Sequence, residues 1–314
     1  MFELSVGSKV FLLGEYQVLQ EGTAFLAVLE PRFKMNVKAG AGELKGVPEG
    51  SPASLYHQQE NEFFKNWNLE FLDPHLGRGG FGASTAQIAL LQGFKEGFKS
   101  ISSHSQVELD LKKIHQKYLE LVRPSSGPSP SGADLISQLQ GGLVELNIKS
   151  GKIQKHAWPF SDLQVYFFVT GKKQVTHEHL KGLTNLTSDS KDVLSGLSQE
   201  YQKAMHSFYQ SDVKPFVQAI ADYQNELNKM GWVTPETLAW LSEIQKIEGV
   251  LAAKGCGAMG ADVIAVVGKT SYGKDIINCC EKLGLSYLGS LEQRTEGFAF
   301  EWTAEQTARS LSKV

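Results

Sequence analysis

The run Gly77-Arg78-Gly79-Gly80-Phe81-Gly82-Ala83-Ser84-Thr85-Ala86, passing straight into the apolar-periodic Gln87-Ile88-Ala89-Leu90-Leu91, constrains this chain more than any other segment. Four glycines in six positions let the backbone turn with its N–H groups convergent and unobstructed by Cβ atoms. A helix starting there adds its dipole, and Ser84 and Thr85 add hydroxyls, so the segment reads as an anion-binding loop capping a helix. A phosphate chain suits such a place; a plain glycine-rich helix entry is the alternative. The string also satisfies G-x-G-x-x-G, but a dinucleotide fingerprint needs a strand before it, and residues 66–76 carry Asp73-Pro74-His75 in place of a β-branched run. No Gly-Lys-Ser/Thr follows, which excludes a Walker P-loop.

The pattern of the remaining chain predicts a mixed architecture. Phe2 to Val6, Lys9 to Leu13, Phe25 to Leu29 and Phe33 to Val37 read as short strands separated by turns, forming an antiparallel N-terminal sheet. Helices are expected over 55–66, 87–98, 111–122 and 133–139, with a strand near 142–148 and a buried strand over 163–170. Long amphipathic helices follow over 192–210, 213–230 and 235–247, then a strand at 263–267, a helix at 274–283 and a closing strand at 298–302. A chain of 314 residues, 41% hydrophobic, buries enough surface for two domains, divided here near residue 155.

Charge and cysteine usage exclude several function classes. The formal net charge is −3 and basic blocks are absent, which argues against nucleic-acid and membrane-surface partners. The N-terminus lacks a secretory pattern and nowhere do about 18 apolar residues run together, so a cytoplasmic protein is expected. Cys256, Cys279 and Cys280 show no metal-ligand spacing, which argues against structural zinc.

Two further segments turn the glycine loop into part of a set. Val6-Gly7-Ser8-Lys9-Val10-Phe11-Leu12-Leu13-Gly14-Glu15-Tyr16 stands near the start, and Lys254-Gly255-Cys256-Gly257-Ala258-Met259-Gly260-Ala261-Asp262 near the end. With Gly80-Phe81-Gly82-Ala83-Ser84-Thr85-Ala86 between them, these resemble, in order, the PGKxxLxGEH/Y, GLGSSAA and KxxGAGGGD/G motifs of the GHMP small-molecule kinases. The likeness runs over most of the chain and is nearest to the mevalonate-pathway branch. Tyr16 after Glu15, together with Asp262, leans towards phosphomevalonate kinase. Pro128-Ser129-Pro130-Ser131-Gly132-Ala133-Asp134, followed by Gly141-Gly142, resembles mevalonate kinase about as well.

The resemblance implies an α+β fold of two domains, a ribosomal-protein-S5-like domain over 1–155 and a ferredoxin-like domain over 156–314. It implies ATP and Mg²⁺ as cofactors, a small-molecule acceptor, phosphomevalonate or mevalonate, and a monomer or homodimer. It makes Lys9 the lysine at the acceptor hydroxyl and Asp134 the group that orients or deprotonates that hydroxyl, paired with Lys9. Read from the residues alone, Lys9 is equally an edge-strand charge and Asp134 a first-turn Asp favoured by the helix dipole. Gly79, Gly80, Gly82, Ala83, Ser84 and Thr85 become the nucleotide-phosphate loop, with Ser84 also at the metal. Glu120 matches a metal-ligating Glu only across an insertion; by its residues it is a solvated helix-face carboxylate.

Departures from the family pattern are specific. Gly7 stands for the Pro of PGK, Ala83 for the first Ser of the second motif, and Met259 and Ala261 for two glycines of the third. These changes, and a shortened stretch between Lys9 and Gly80, leave room for a non-catalytic homologue. A decarboxylase of mevalonate diphosphate shares the fold but departs from GEH/Y in its first motif. Arg32, Arg78, Lys172 and Lys173 are the cations offered for an acceptor phosphate, the last two in a Thr170-Gly171 stretch that is otherwise a charged surface turn.

Overall fold

The computed structural model describes residues 1–102, 108–122, 130–172 and 190–302. Two antiparallel-dominated sheets organise it. The larger has seven strands: β1 (Phe2–Leu13), β2 (Thr23–Ala39), β3 (Leu44–Lys45), β4 (Trp67–Leu72), β5 (Leu143–Asn147), β6 (Lys152–His156) and β11 (Ala299–Trp302). The smaller has four, in the order β10 (Ser286–Ser290), β7 (Leu163–Val169), β9 (Val263–Lys269), β8 (Val250–Cys256). The closing strand predicted at 298–302 does form, but it pairs with β1 in the first sheet. The last described strand therefore belongs to the first sheet and not to the second.

The four short strands expected at the N-terminus are two long ones. β1 runs through Gly7 and β2 through Pro31 and Arg32, with the register shift between Val6 and Ser8 absorbing the irregularity as a bulge. Turn-forming residues punctuate a sequence, yet a continuous ladder carries the backbone across them. β4 corrects a second expectation. The sequence predicts no strand before the glycine loop, but residues 67–72 pair antiparallel with β2. Leu69 and Phe71 face the core, giving the alternation of a half-buried strand without β-branched residues. An antiparallel strand ending well before the loop is still not the parallel βαβ entry of a dinucleotide fold.

The helices follow from local signals. α1 (Pro52–Gln59) starts with Pro52 at its first turn and Ser51 accepting the Ser54 N–H; the helix expected over 55–66 is split, with α2 (Asn61–Phe64) a separate turn. α3 (Ala83–Ser102) begins at the glycine loop and buries Ala86, Ile88, Ala89, Leu90, Leu91 and Phe94. α4 (Leu111–Val122) packs on α5 (Ala133–Gln140), which lies against α3 and the strands β1, β2 and β5, and α6 (Ser190–Gln210), α7 (Val213–Lys229), α8 (Pro235–Ile244) and α9 (Gly273–Lys282) accompany the second sheet. β7 is buried at every position because both faces of its sheet are covered. Val165, Phe167 and Val169 join the main core; Tyr166 and Phe168 join a second cluster with Leu241, Ile244, Ile276 and Cys280. The main core is continuous from β1 and β2 to α6 and α7, so both sheets share one interior. No helix among the described residues is long and apolar enough to cross a membrane.

Candidate active site

The three glycine segments, far apart in the chain, meet at one place. Lys9, on β1, has its backbone N–H donating to the Phe81 carbonyl at 3.1 Å, which pins the strand against the glycine loop. Gly80 holds φ +91°, and a Cβ there would lie 2.5 Å from the Asp262 Cβ; a Cβ on Gly257 would lie 2.7 Å from the Asp262 Oδ2. The side chain of Asp262 therefore fills the space between the second and third motifs. Tyr16 closes the ring: its hydroxyl accepts the Met259 N–H at 3.1 Å, and its ring packs on Trp232 at 4.5 Å. Burial, with Glu15 beside it, holds the Tyr16 hydroxyl above the ordinary phenol range, so it stays protonated.

Lys9 and Asp134 are paired, Nζ to Oδ2, at 3.0 Å, with side-chain exposures of 8% and 28%. β1 supplies the lysine from a buried strand. Its Nζ also lies 4.9 Å from the centre of the Phe11 ring. The aspartate sits in the first turn of α5, which leaves Gly132 at φ +72°. His115 on α4 braces that entry, its Nε2 lying 2.7 Å from the Ser131 carbonyl oxygen. The less buried carboxylate leaves the pair one open side.

The glycine loop has the features of a phosphate cradle. Gly82 holds φ +84°, and its absent Cβ would come within 3.1 Å of Lys9 Cγ, Thr85 Oγ1 and Gln138 Nε2, so only glycine lets backbone and lysine approach this closely. Ala83, Ser84 and Thr85 open α3, where backbone N–H groups lack intrahelical acceptors, and the Ser84 side chain is exposed. These residues fit a nucleotide's phosphates. Thr85 departs from the expectation: it is buried, and its hydroxyl donates to the Gln138 Oε1 at 2.7 Å, so it points into the protein.

A Mg²⁺ ion fits less well. Glu120 is exposed on α4, takes a 3.1 Å hydrogen bond from Gln116, and opens onto a groove of about 570 Å³ against β5 and β6 that includes neither Lys9 nor Asp134. Among the described residues no cluster of three or more His, Cys, Asp or Glu side chains could hold a metal. A second groove, about 460 Å³, lined by Gln17, Glu145, Tyr201 and Tyr209, likewise includes neither Lys9 nor Asp134.

The cations separate clearly. Arg32 is committed to the fold: Nε donates to the Ser5 hydroxyl, one terminal nitrogen to the Thr295 hydroxyl and the Glu296 carbonyl, the other to the Ser5 and Gly297 carbonyls. All five of its N–H groups tie the two edges of β1 together, so the expectation of a ligand contact fails. Arg78 is exposed beside the glycine loop, and Lys172 is exposed two residues after Thr170, whose N–H donates to the Asp262 carbonyl at 3.2 Å. Lys173 and the rest of that stretch lie outside the described residues.

Sequence reasoning missed three sets of partners. Glu15 pairs with Lys254 at 2.7 Å, joining the first and third motifs in a site where the side chains are 5% and 1% exposed; Tyr223 reaches both the Gly14 N–H and Glu15. Burial alone pushes the Lys254 ammonium down, but the Glu15 carboxylate against it holds the group above its ordinary value. His75 lies 2.6 Å from the fully buried Ser8 hydroxyl and stacks on Phe81 at 4.0 Å, fastening the loop's entry to β1. Burial lowers His75 to about 4. Gln138 bonds the first and second motifs from one turn beyond Asp134. Nothing local signals any of these; each depends on which segments the fold brings together.

No protein-family profile matches the sequence, and no curated protein does. Solved structures match across almost the whole chain. The phosphomevalonate kinase of Streptococcus pneumoniae superposes with a TM-score of 0.74 at 14% identity, covering 93% of this chain and 99% of its own; the same enzyme has been solved with phosphomevalonate and AMPPNP. Leishmania major mevalonate kinase, in complex with R-mevalonate, gives 0.66 at 17% identity over 90% and 94%. Lactococcus lactis galactokinase, with galactose, gives 0.72 at 12% over 95% and 94%. Since enzymes of different acceptors share this architecture at such low identities, what the likeness establishes is shape: this chain has the fold of the GHMP kinases.

Proposed function

We propose that this protein transfers the γ-phosphoryl group of ATP to a small-molecule hydroxyl of the mevalonate pathway, with phosphomevalonate as the acceptor. The observation that carries the reading is the Lys9–Asp134 pair set against Gly82 and the start of α3. Phosphoryl transfer asks a protein mainly for positioning and matched charge. The backbone N–H groups of the loop hold the triphosphate; Lys9 draws in the acceptor oxygen. Asp134 takes the hydroxyl proton as that oxygen bonds to the γ-phosphorus, and the bond to the bridging oxygen breaks to release ADP. Arg78 and Lys172 are the exposed cations on this side that suit an acceptor already bearing a phosphate. Tyr16 and Asp262, on which the sequence resemblance rested, both stand at the third motif.

Measuring ADP formation with mevalonate, phosphomevalonate and mevalonate diphosphate tests the reading. Phosphomevalonate should be turned over fastest, and Asp134→Asn should lower kcat by roughly 100-fold or more with little loss of ATP affinity. Faster turnover of mevalonate at equal subsaturating concentrations replaces the acceptor. ATP consumption with none of the three leaves a ligand-binding homologue, the reading favoured by Ala83, Met259 and Ala261.

A further inference from the structure

Gln138 is completely buried, one helical turn beyond Asp134 on α5, and its amide is fully engaged on both sides. Nε2 donates to the Gly7 carbonyl at 3.1 Å and the Gly82 carbonyl at 3.2 Å; Oε1 accepts the Thr85 hydroxyl, whose oxygen also lies 2.9 Å from the Gly82 carbonyl oxygen. Two carbonyl oxygens on one side and a hydroxyl on the other fix which way the amide points. Gly7 lies where the β1–β2 register is interrupted, so its carbonyl takes a side-chain donor. Gly82 ends the phosphate loop, and its carbonyl also accepts the Ala86 N–H at 2.8 Å in the first turn of α3. One side chain therefore bonds the strand that carries Lys9 and the loop that begins α3, from the helix that carries Asp134.

We propose that Gln138, together with Thr85, is a positioning residue that sets the spacing between the phosphate loop and the Lys9–Asp134 pair. The inference rests on the kinase reading above. Little slack exists in this arrangement: the position a Gly82 Cβ would occupy lies 3.0 Å from Lys9 Cγ and 3.1 Å from Gln138 Nε2, so a displaced amide moves the lysine or the loop. A shift of a fraction of an ångström between a bound phosphoryl donor and the acceptor's base slows transfer while leaving each ligand's own contacts in place. That predicts a loss in kcat and not in KM. It also gives Thr85 a role: its hydroxyl orients the amide, not a ligand.

The test uses the full chain and four variants. Thr85→Val keeps the shape and removes the donor; Gln138→Met keeps the length and removes all three bonds; the third combines them; Thr85→Ser retains the hydroxyl. Thr85→Val and Gln138→Met should each lower kcat by roughly 10- to 100-fold with KM for ATP and acceptor within about threefold. The double variant should fall to about the level of the more impaired single, well short of the product of the two losses, and Thr85→Ser should stay within about threefold of the parent. Folded single variants with kcat within twofold of the parent, or losses that multiply in the double, overturn the proposal. If the parent consumes ATP with none of the acceptors, the kinase reading fails by itself. Amide hydrogen exchange then reads the spacing directly: Gln138→Met should speed exchange at residues 80–86 while residues 263–269 stay protected. Unchanged exchange at 80–86 overturns the proposal.

Discussion

His75 shows how one side chain can make the loop's anchorage depend on pH. Its ring is buried between Phe81 and Phe33 and held by Ser8, and burial, the largest influence, lowers its pKa from 6.5 to about 4. The depressed value means that the unfolded chain binds a proton which the folded chain refuses throughout that window. Stability contributed by the neutral ring is complete above pH 6.5 and falls as pH drops towards 4. Urea denaturation at pH 7 and pH 4.5 should show a steeper loss in the parent than in His75→Gln, whose neutral amide cannot titrate. Equal losses in the two proteins would mean that His75 is accessible and titrates normally. At this scale the sequence was a mixed guide. Motif positions predict the Lys9–Asp134 pair that the structure holds, while Arg32, an equally plausible cation by sequence, ties Ser5 of β1 to residues 295–297.

At the scale of elements, the glycine loop is two problems, backbone conformation and space. Gly77 and Gly80 both hold left-handed φ, +81° and +91°, so alanine at either carries a conformational cost of about 1 kcal/mol. They differ in surroundings. Nothing lies within 4 Å of a Gly77 Cβ, whereas a Gly80 Cβ meets the Asp262 Cβ at 2.5 Å. Gly80→Ala should therefore be the more destabilising by a further ~1–3 kcal/mol, as one motif is pushed off the other. Thermal or chemical unfolding of the two variants checks it, and equal costs would show that Asp262 moves aside freely. Met259 meets the conformational half of the problem differently, holding φ +55° where the resemblance places a glycine, so the third loop keeps a left-handed turn despite the substitution.

The whole molecule depends on the contacts between its two sheets. Glu15 and Lys254 are a buried ion pair bridging the turn after β1 and the strand β8, with Tyr223 of α7 against both. Neither charge faces water. Lys254→Met should leave the Glu15 carboxylate uncompensated and cost about 3–5 kcal/mol, while Lys254→Met combined with Glu15→Gln should recover most of that loss. A single variant within about 1 kcal/mol of the parent would mean that Glu15 finds another partner or water. The same reasoning explains why Cys256, next to Lys254 and fully buried, keeps its proton: burial pushes the thiol up.

What the sequence determined by itself was local or carried by motif order. Helix starts at Ala133 and Pro235, the buried run of β7, and the glycine loop as a helix entry all follow from periodicity and turn chemistry within a few residues. Motif order likewise placed Lys9, the loop, Asp134 and Asp262 in one region, and the GHMP-kinase fold bears out that resemblance. Tertiary structure alone decided strand continuity through Gly7 and Pro31, the strands β4, β6, β8 and β10, and the return of β11 to the first sheet. It also decided that Thr85 turns inward to Gln138, that Glu120 faces another groove, and that Glu15 meets Lys254. The physical reason is common to all of these. A hydrogen bond or ion pair between residues far apart in the chain is set by which surfaces the core brings together, and no local pattern encodes that partner.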